Sequence, residues 1–358
     1  MLRTAAVCGV VFQSLAGAQQ ASSDLTSFLE QDIGLSAKQR ASVDGGQSVA
    51  KVLRSAIDRD VVVFAIIAVD VPRSWFVEHF AAVDAPLRSP TRTMFGIFGT
   101  PAAASDASAL TISKDEIKDL KACRPTSCHF KLPASTMAFL NTRVDWNAPD
   151  VSAKLAQDAR EQMAAFVNDY RQRGSGAVVN YDDQATVKAS DALAGLLAQT
   201  QHIFPSAPAA AFERYLMAYP TEKLDSVTNM IFWSEDHLPH ARPIHGIRQL
   251  SIFTPPDPGN ATFIATKQLW ADHYLEASLD MLTVVDRPAP TAETNASGGS
   301  GAYLIAVRQF RFDNLPNNRL FSIRNRVANG LRDQAEDDLR RLKQNYEQAF
   351  HAAGTHQP

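Results

Sequence analysis

The chain has 358 residues, 35 basic and 38 acidic side chains, a net charge of −3, and 45% apolar residues. So much apolar mass excludes an intrinsically disordered chain, and no apolar run beyond the N-terminus approaches the ~18–20 residues of a transmembrane helix. Without a basic excess there is no case for a general nucleic-acid binder, and no nucleic-acid partner is expected.

Residues 1–18 read as a signal peptide. Arg3 supplies the positive start, residues 5–12 a short apolar core, and Ala16-Gly17-Ala18 a small-x-small cleavage site. The remainder, 19–358, is then expected as a single domain in the periplasm or outside the cell. Of the 3 cysteines, Cys123 and Cys128 survive this cleavage, in the stretch Cys123-Arg124-Pro125-Thr126-Ser127-Cys128-His129. An even count in an oxidising compartment favours a disulfide. Haem attachment is the competing reading, but it calls for two residues between the cysteines, and here Arg124 to Ser127 intervene.

Along the mature chain, residues 24–42 carry a helical stripe that ends at Gly45-Gly46. Two strands follow at 48–53 and 61–71, the second rich in β-branched residues and apolar on both faces. Pro72 opens a helix bearing Trp75, Phe76, His79 and Phe80, and 91–98 reads as a further strand. From about 100 to 222 the pattern turns helical. Asp150 caps a helix that Gly174 stops after Arg173, Ser190 caps a second, and Pro220 ends a third carrying Phe212, Leu216 and Met217. Strands return at 227–234, 247–253, 262–270, 273–285 and 303–312, joined by Pro/Gly/Asp/Asn turns. Short connections predict an antiparallel meander, with 286–301 as a long loop.

A turn centred on Ala271-Asp272 places Lys267 opposite Glu276 on a wet face, with Asp280 beside it. The dry face then carries Thr262, Ile264, Thr266, Trp270, Leu275, Ala277, Leu279 and Met281. From about Asn317, the stripe Ile323, Val327, Leu331, Ala335, Leu339, Leu342, Tyr346 and Phe350 marks a long amphipathic helix that can cover that face. The expected class is α+β: a curved antiparallel sheet packed on a long C-terminal helix, with an inserted helical block.

This order of elements resembles the START-like, or helix-grip, fold. The resemblance is carried by Val69-Asp70-Val71-Pro72 with the helix after it, and by Leu339-Arg340-Arg341-Leu342-Lys343 in the closing helix. The chain is also similar to a group of uncharacterised exported bacterial proteins, through Tyr170-Arg171-Gln172-Arg173-Gly174, Asn180-Tyr181-Asp182-Asp183, the cysteine loop and Ile231-Phe232-Trp233-Ser234. The START-like resemblance implies binding of a lipid or other hydrophobic small molecule between sheet and helix. The expected pocket is the dry face above together with Ile323, Val327 and Leu331. A filled core is the alternative.

No nucleophile elbow, phosphate loop, dinucleotide fingerprint or paired-His zinc helix is present, and no cofactor is expected. Among clusters that could carry chemistry, the strongest is His237, His240 and His245 beside Glu235 and Asp236; the Glu276/Asp280 pair reads better as surface charge, and Asp182-Asp183 alone is a weak calcium signal. The histidine cluster supports an envelope enzyme, hydrolytic or metal-assisted, as a second reading, although Pro239 and Pro243 suit an ordinary polar turn. A structural protein that docks a partner on its helical block is the third.

Overall fold

A computed structural model describes residues 25–81, 91–199, 203–237, 242–256, 261–287, 301–315 and 323–354. The expected signal peptide, His240 and residues 288–300 of the expected long loop lie outside them.

Strand β2 (Asp60–Val69) is buried at every position, as a β-branched run must be when both faces of its sheet are covered. β1 (Val49–Leu53) pairs with one side of it and β10 (Ala302–Phe312) with the other. The sheet continues from β10 through β9 (Leu275–Asp286), β8 (Ala261–Ala271), β7 (Ile244–Phe253) and β6 (Val227–Asp236) to β3 (Arg92–Ile97). Its order is β1-β2-β10-β9-β8-β7-β6-β3, with every pairing antiparallel. The chain between β3 and β6 forms the helical block.

The long helix α8 (Ile323–Gly354) packs on one face of this sheet. Its Ala328, Leu331, Ala335, Leu339 and Tyr346 meet Val61, Val63, Ala65 and Ile67 of β2. Helix α2 (Arg73–Ala81) shares that side through Phe76 and Phe80. The protein is therefore α+β, a large antiparallel sheet carrying a long C-terminal helix. The expected stripe begins too early, however: Ile323 is 47% exposed.

The opposite face is not wet. Val62, Phe64 and Ile66 of β2 point to it and meet Phe28, Leu29, Leu193, Leu196 and Phe212. These come from an N-terminal helical turn (Phe28–Asp32) and from α6 (Ala189–Leu197) and α7 (Ala207–Ala218); the short α1 (Ala37–Asp44) follows that turn. The other helices of the block are α3 (Lys114–Ala122), α4 (Ala134–Arg143) and α5 (Val151–Arg173). A two-strand ribbon, β4 (Asn180–Tyr181) with β5 (Val187–Lys188), lies within the block. Helix α5 stops where the sequence predicts, because Gly174 adopts φ 55° and a Cβ there would stand 1.8 Å from the Tyr219 carbonyl oxygen. Cys123 and Cys128 form a disulfide, their Cα atoms 4.3 Å apart.

The β8–β9 register departs from expectation. Lys267 faces Leu279 and Thr266 faces Asp280, three residues from the expected pairing of Lys267 with Glu276. An odd slip exchanges the faces of one strand relative to the other. Lys267 is buried under the block, donating to the Leu216 carbonyl oxygen at 2.7 Å, and Glu276 is buried and paired with Arg59.

Candidate functional site

Between α8 and the sheet lies a cavity of about 620 Å³. Phe232, Leu250, Ile264, Leu282, Phe310 and Leu339 give it apolar walls. It also carries four guanidiniums, Arg92, Arg248, Arg308 and Arg341, against three carboxylates, Asp236, Asp280 and Asp338. Arg92 Nε and Arg248 Nη2 meet Asp236 at 2.9 and 2.8 Å. Arg308 Nη1 meets Asp338 at 2.7 Å, and Arg341 binds the same carboxylate. Burial alone would raise the Asp236 pKa, but Arg248 and Arg92 outweigh it and hold the carboxyl below its usual range. Asp280 goes the other way. Burial raises its pKa against the pull of Arg308, Arg248 and Arg92, and its Oδ1 is buried without a hydrogen-bond partner.

Five of the expected pocket residues line this cavity: Ile264, Thr266, Leu275, Met281 and Leu331. Thr262 faces the same side and accepts a hydrogen bond from Arg73 at 3.2 Å, and Val327 is half-buried against the same core. The others separate. Ala277 and Leu279 pack in the core under the helical block, which follows from the register slip. Trp270 also leaves, because a bulge between Ile247 and Arg248 shifts the β7–β8 pairing, so that Ile247 faces Trp270 while Arg248 faces Gln268. Ile323 is outside the cavity lining.

Trp270 instead borders a second pocket, of about 370 Å³, between the block and the end of the sheet. Leu120, Phe130, Leu140, Phe166 and Trp270 form its apolar wall, with Glu116, His245 and Asp272 at one end. The His245 Nδ1 is 2.8 Å from Asp272 Oδ2 and 3.8 Å from Glu116 Oε1, while its Nε2 is 3.2 Å from Glu235 Oε2. His237 lies 2.7 Å from the other oxygen of Glu235. Burial works to lower the His245 pKa, but Asp272, Glu116 and Glu235 overcome it and raise the pKa to about 9.

Local structure fixes each of these groups. Glu116 closes the capping box that starts α3: its Oε2 accepts from the Ser113 N–H at 2.7 Å, and its own N–H donates to Ser113 Oγ at 3.3 Å. Asp272 begins the β8–β9 turn and accepts the His245 backbone N–H at 2.9 Å. The sequence cluster thus converges in part. Glu235, His237 and His245 meet, and Asp236 turns to the cavity arginines. Glu116 and Asp272 are remote in sequence from His237 and His245, so sequence proximity does not bring them to the cluster. The only local signal was the polar turn Asp272-His273 beside an aromatic residue.

No protein-family model matches this chain, and no curated protein or solved structure matches it.

Proposed function

We propose that this protein is an exported carrier that binds, without covalent change, an amphiphile having an apolar body and an acidic head. The observation that carries the reading is the cavity of about 620 Å³ between α8 and the sheet, within the ~300–1,000 Å³ of typical small-molecule sites. Its apolar walls suit a hydrocarbon or aromatic body. The guanidinium excess suits an anionic head, and Asp280, whose Oδ1 is buried without a hydrogen-bond partner, offers a further polar contact in the cavity. The resemblance to START-like folds supports the same use of the space between sheet and final helix. The apolar N-terminus and the disulfide support export.

The test uses two fluorescent probes of similar body, 1-anilinonaphthalene-8-sulfonate and uncharged N-phenyl-1-naphthylamine. Thr266 lines the cavity opposite Leu250 and Asp280. Thr266→Trp should abolish binding of both probes with the thermal melt retained. Arg341→Met should weaken the sulfonate about tenfold, the worth of a charge-assisted hydrogen bond, and spare the neutral probe. Wild-type affinity in Thr266→Trp would remove this cavity as the binding site.

A further inference from the structure

We propose that Glu116 Oε1, His245 Nδ1 and Asp272 Oδ2 form a binding site for a divalent transition-metal ion, open to the second pocket. These atoms lie within 4.8 Å of one another. Donors around a tetrahedral ion at ~2.0–2.1 Å stand about 3.3–3.4 Å apart, and the Nδ1 distances of 2.8 and 3.8 Å bracket that value. Rotation of the Glu116 and Asp272 side chains within this 4.8 Å spread would enclose an ion, which would replace the hydrogen shared by Nδ1 and Asp272. One imidazole with two carboxylates suits zinc-class ions, whereas magnesium prefers an all-oxygen set.

Three further observations point to a cation here. Among the described residues, no lysine or arginine forms an ion pair with Glu116 or Asp272, although Asp272 is 1% exposed. Buried carboxylates normally have a cationic partner, and here only imidazoles serve: His245 faces both carboxylates, and His273 stands beside Asp272. Next to them, His273 is 5% exposed and neither of its ring nitrogens has a hydrogen-bond partner. Its Nδ1 is 2.9 Å from Asp272 Oδ1 but off the hydrogen-bond direction. Finally, the Nε2 of His245 already faces Glu235. A metal-binding imidazole characteristically gives its second N–H to a carboxylate, which fixes the ring and raises its basicity.

The remaining coordination positions would face the pocket of about 370 Å³, whose apolar wall could hold the body of a small molecule while a polar atom of it reaches the ion. This site is separate from the α8 cavity and does not depend on the carrier reading.

Zinc sulfate titrated calorimetrically into chelator-stripped full-length protein should show one ion bound per chain, with magnesium failing to compete. His245→Ala should abolish this binding. Glu116→Gln keeps an acceptor for the Ser113 N–H, so the helix cap and the fold should survive while affinity falls. Glu235→Gln should weaken binding about tenfold through the orientation of His245. Cobalt loaded in place of zinc should give visible absorption that His245→Ala removes. Absence of stoichiometric zinc uptake by the wild type, or wild-type affinity in both His245→Ala and Glu116→Gln, would overturn the site.

Discussion

Replacing Asp60 with alanine should lower the folding free energy by about 3–5 kcal/mol, the cost of leaving a buried charge without its partner. Asp60 opens β2 and is fully buried. Its two oxygens accept from Arg311 Nε at 2.7 Å and Nη2 at 2.8 Å, and Oδ2 accepts from Gln199 Nε2 at 2.7 Å. Arg311 is 8% exposed and also donates to the Ala192 carbonyl oxygen at 3.3 Å. A Cβ on Gly195 would stand 2.8 Å from its Nη1, so α6 crosses the guanidinium with only a glycine between them. Without Asp60 the guanidinium keeps its charge in a largely buried position, with the Ala192 carbonyl oxygen as its remaining hydrogen-bond partner. Urea unfolding of Asp60→Ala and of the double variant Asp60→Ala/Arg311→Met measures this. The double variant should regain part of the loss, because removing both charges costs less than stranding one. An Asp60→Ala midpoint equal to that of the wild type would refute the assignment.

The same pair shows how the helical block belongs to the fold. Asp60 lies on β2, Arg311 on β10, and Ala192 and Gln199 on or just after α6, so one buried ion pair joins the sheet to the inserted chain. The sequence presents that block as a change of character after about residue 100, inviting its treatment as an appendage. Its α6 and α7 are the second cover of the sheet. Deleting 100–222 would expose Phe64, Ile66, Phe263 and Leu279 and unfold the domain rather than trim it.

How far the sequence could be read followed the range of the forces involved. The strands were visible because β-branched runs are a local signal, and α5 was visible because a capped, periodic stretch ended at a glycine that geometry requires. Register is a non-local property. The cross-strand match of Lys267 with Glu276 was persuasive only if one face met water, and the block removes that premise. The turn itself supplied the slip: β8 ends at Ala271 and β9 begins at Leu275, so the connection is Asp272–His273–Tyr274, with Tyr274 at φ 60°. A turn one residue longer and centred on His273 gives the observed pairing of Lys267 with Leu279. A cavity lies between the final helix and the sheet, but its charges are not legible in the sequence, since Arg92, Asp236, Arg248 and Asp280 come together only across four strands. For the histidine cluster, proximity in sequence found Glu235, His237 and His245. Glu116 and Asp272 join them only once the block has docked and the β8–β9 turn has formed.

Stability between pH 7 and 10 should be governed by two buried bases of opposite sign, and substitution should separate them. Lys267 sits between sheet and block against the rings of Tyr170 and Tyr219, and burial lowers its pKa from 10.5 to about 7. From about pH 7 to 10.5 the unfolded chain therefore binds the extra proton, so this residue makes stability rise with pH, by up to ~1.4 kcal/mol per pH unit. His245 is raised from 6.5 to about 9. Its contribution is fully present below pH 6.5 and is lost as the pH climbs through 9, so it makes stability fall over that window. The two slopes oppose each other between about pH 7 and 9, and the wild type should be nearly flat there. In urea titrations with a chelator present, Lys267→Met should show stability falling from pH 6.5 to 9, the uncovered slope of His245. His245→Gln should show stability rising from pH 7 to 10. The Lys267→Met change also leaves the Leu216 carbonyl oxygen without its donor, a constant offset of about 1–3 kcal/mol that does not alter the slope. A Lys267→Met profile parallel to the wild type across pH 7–10 would mean that this lysine keeps its proton in the folded state, with water or an acid reaching a site that the packing closes.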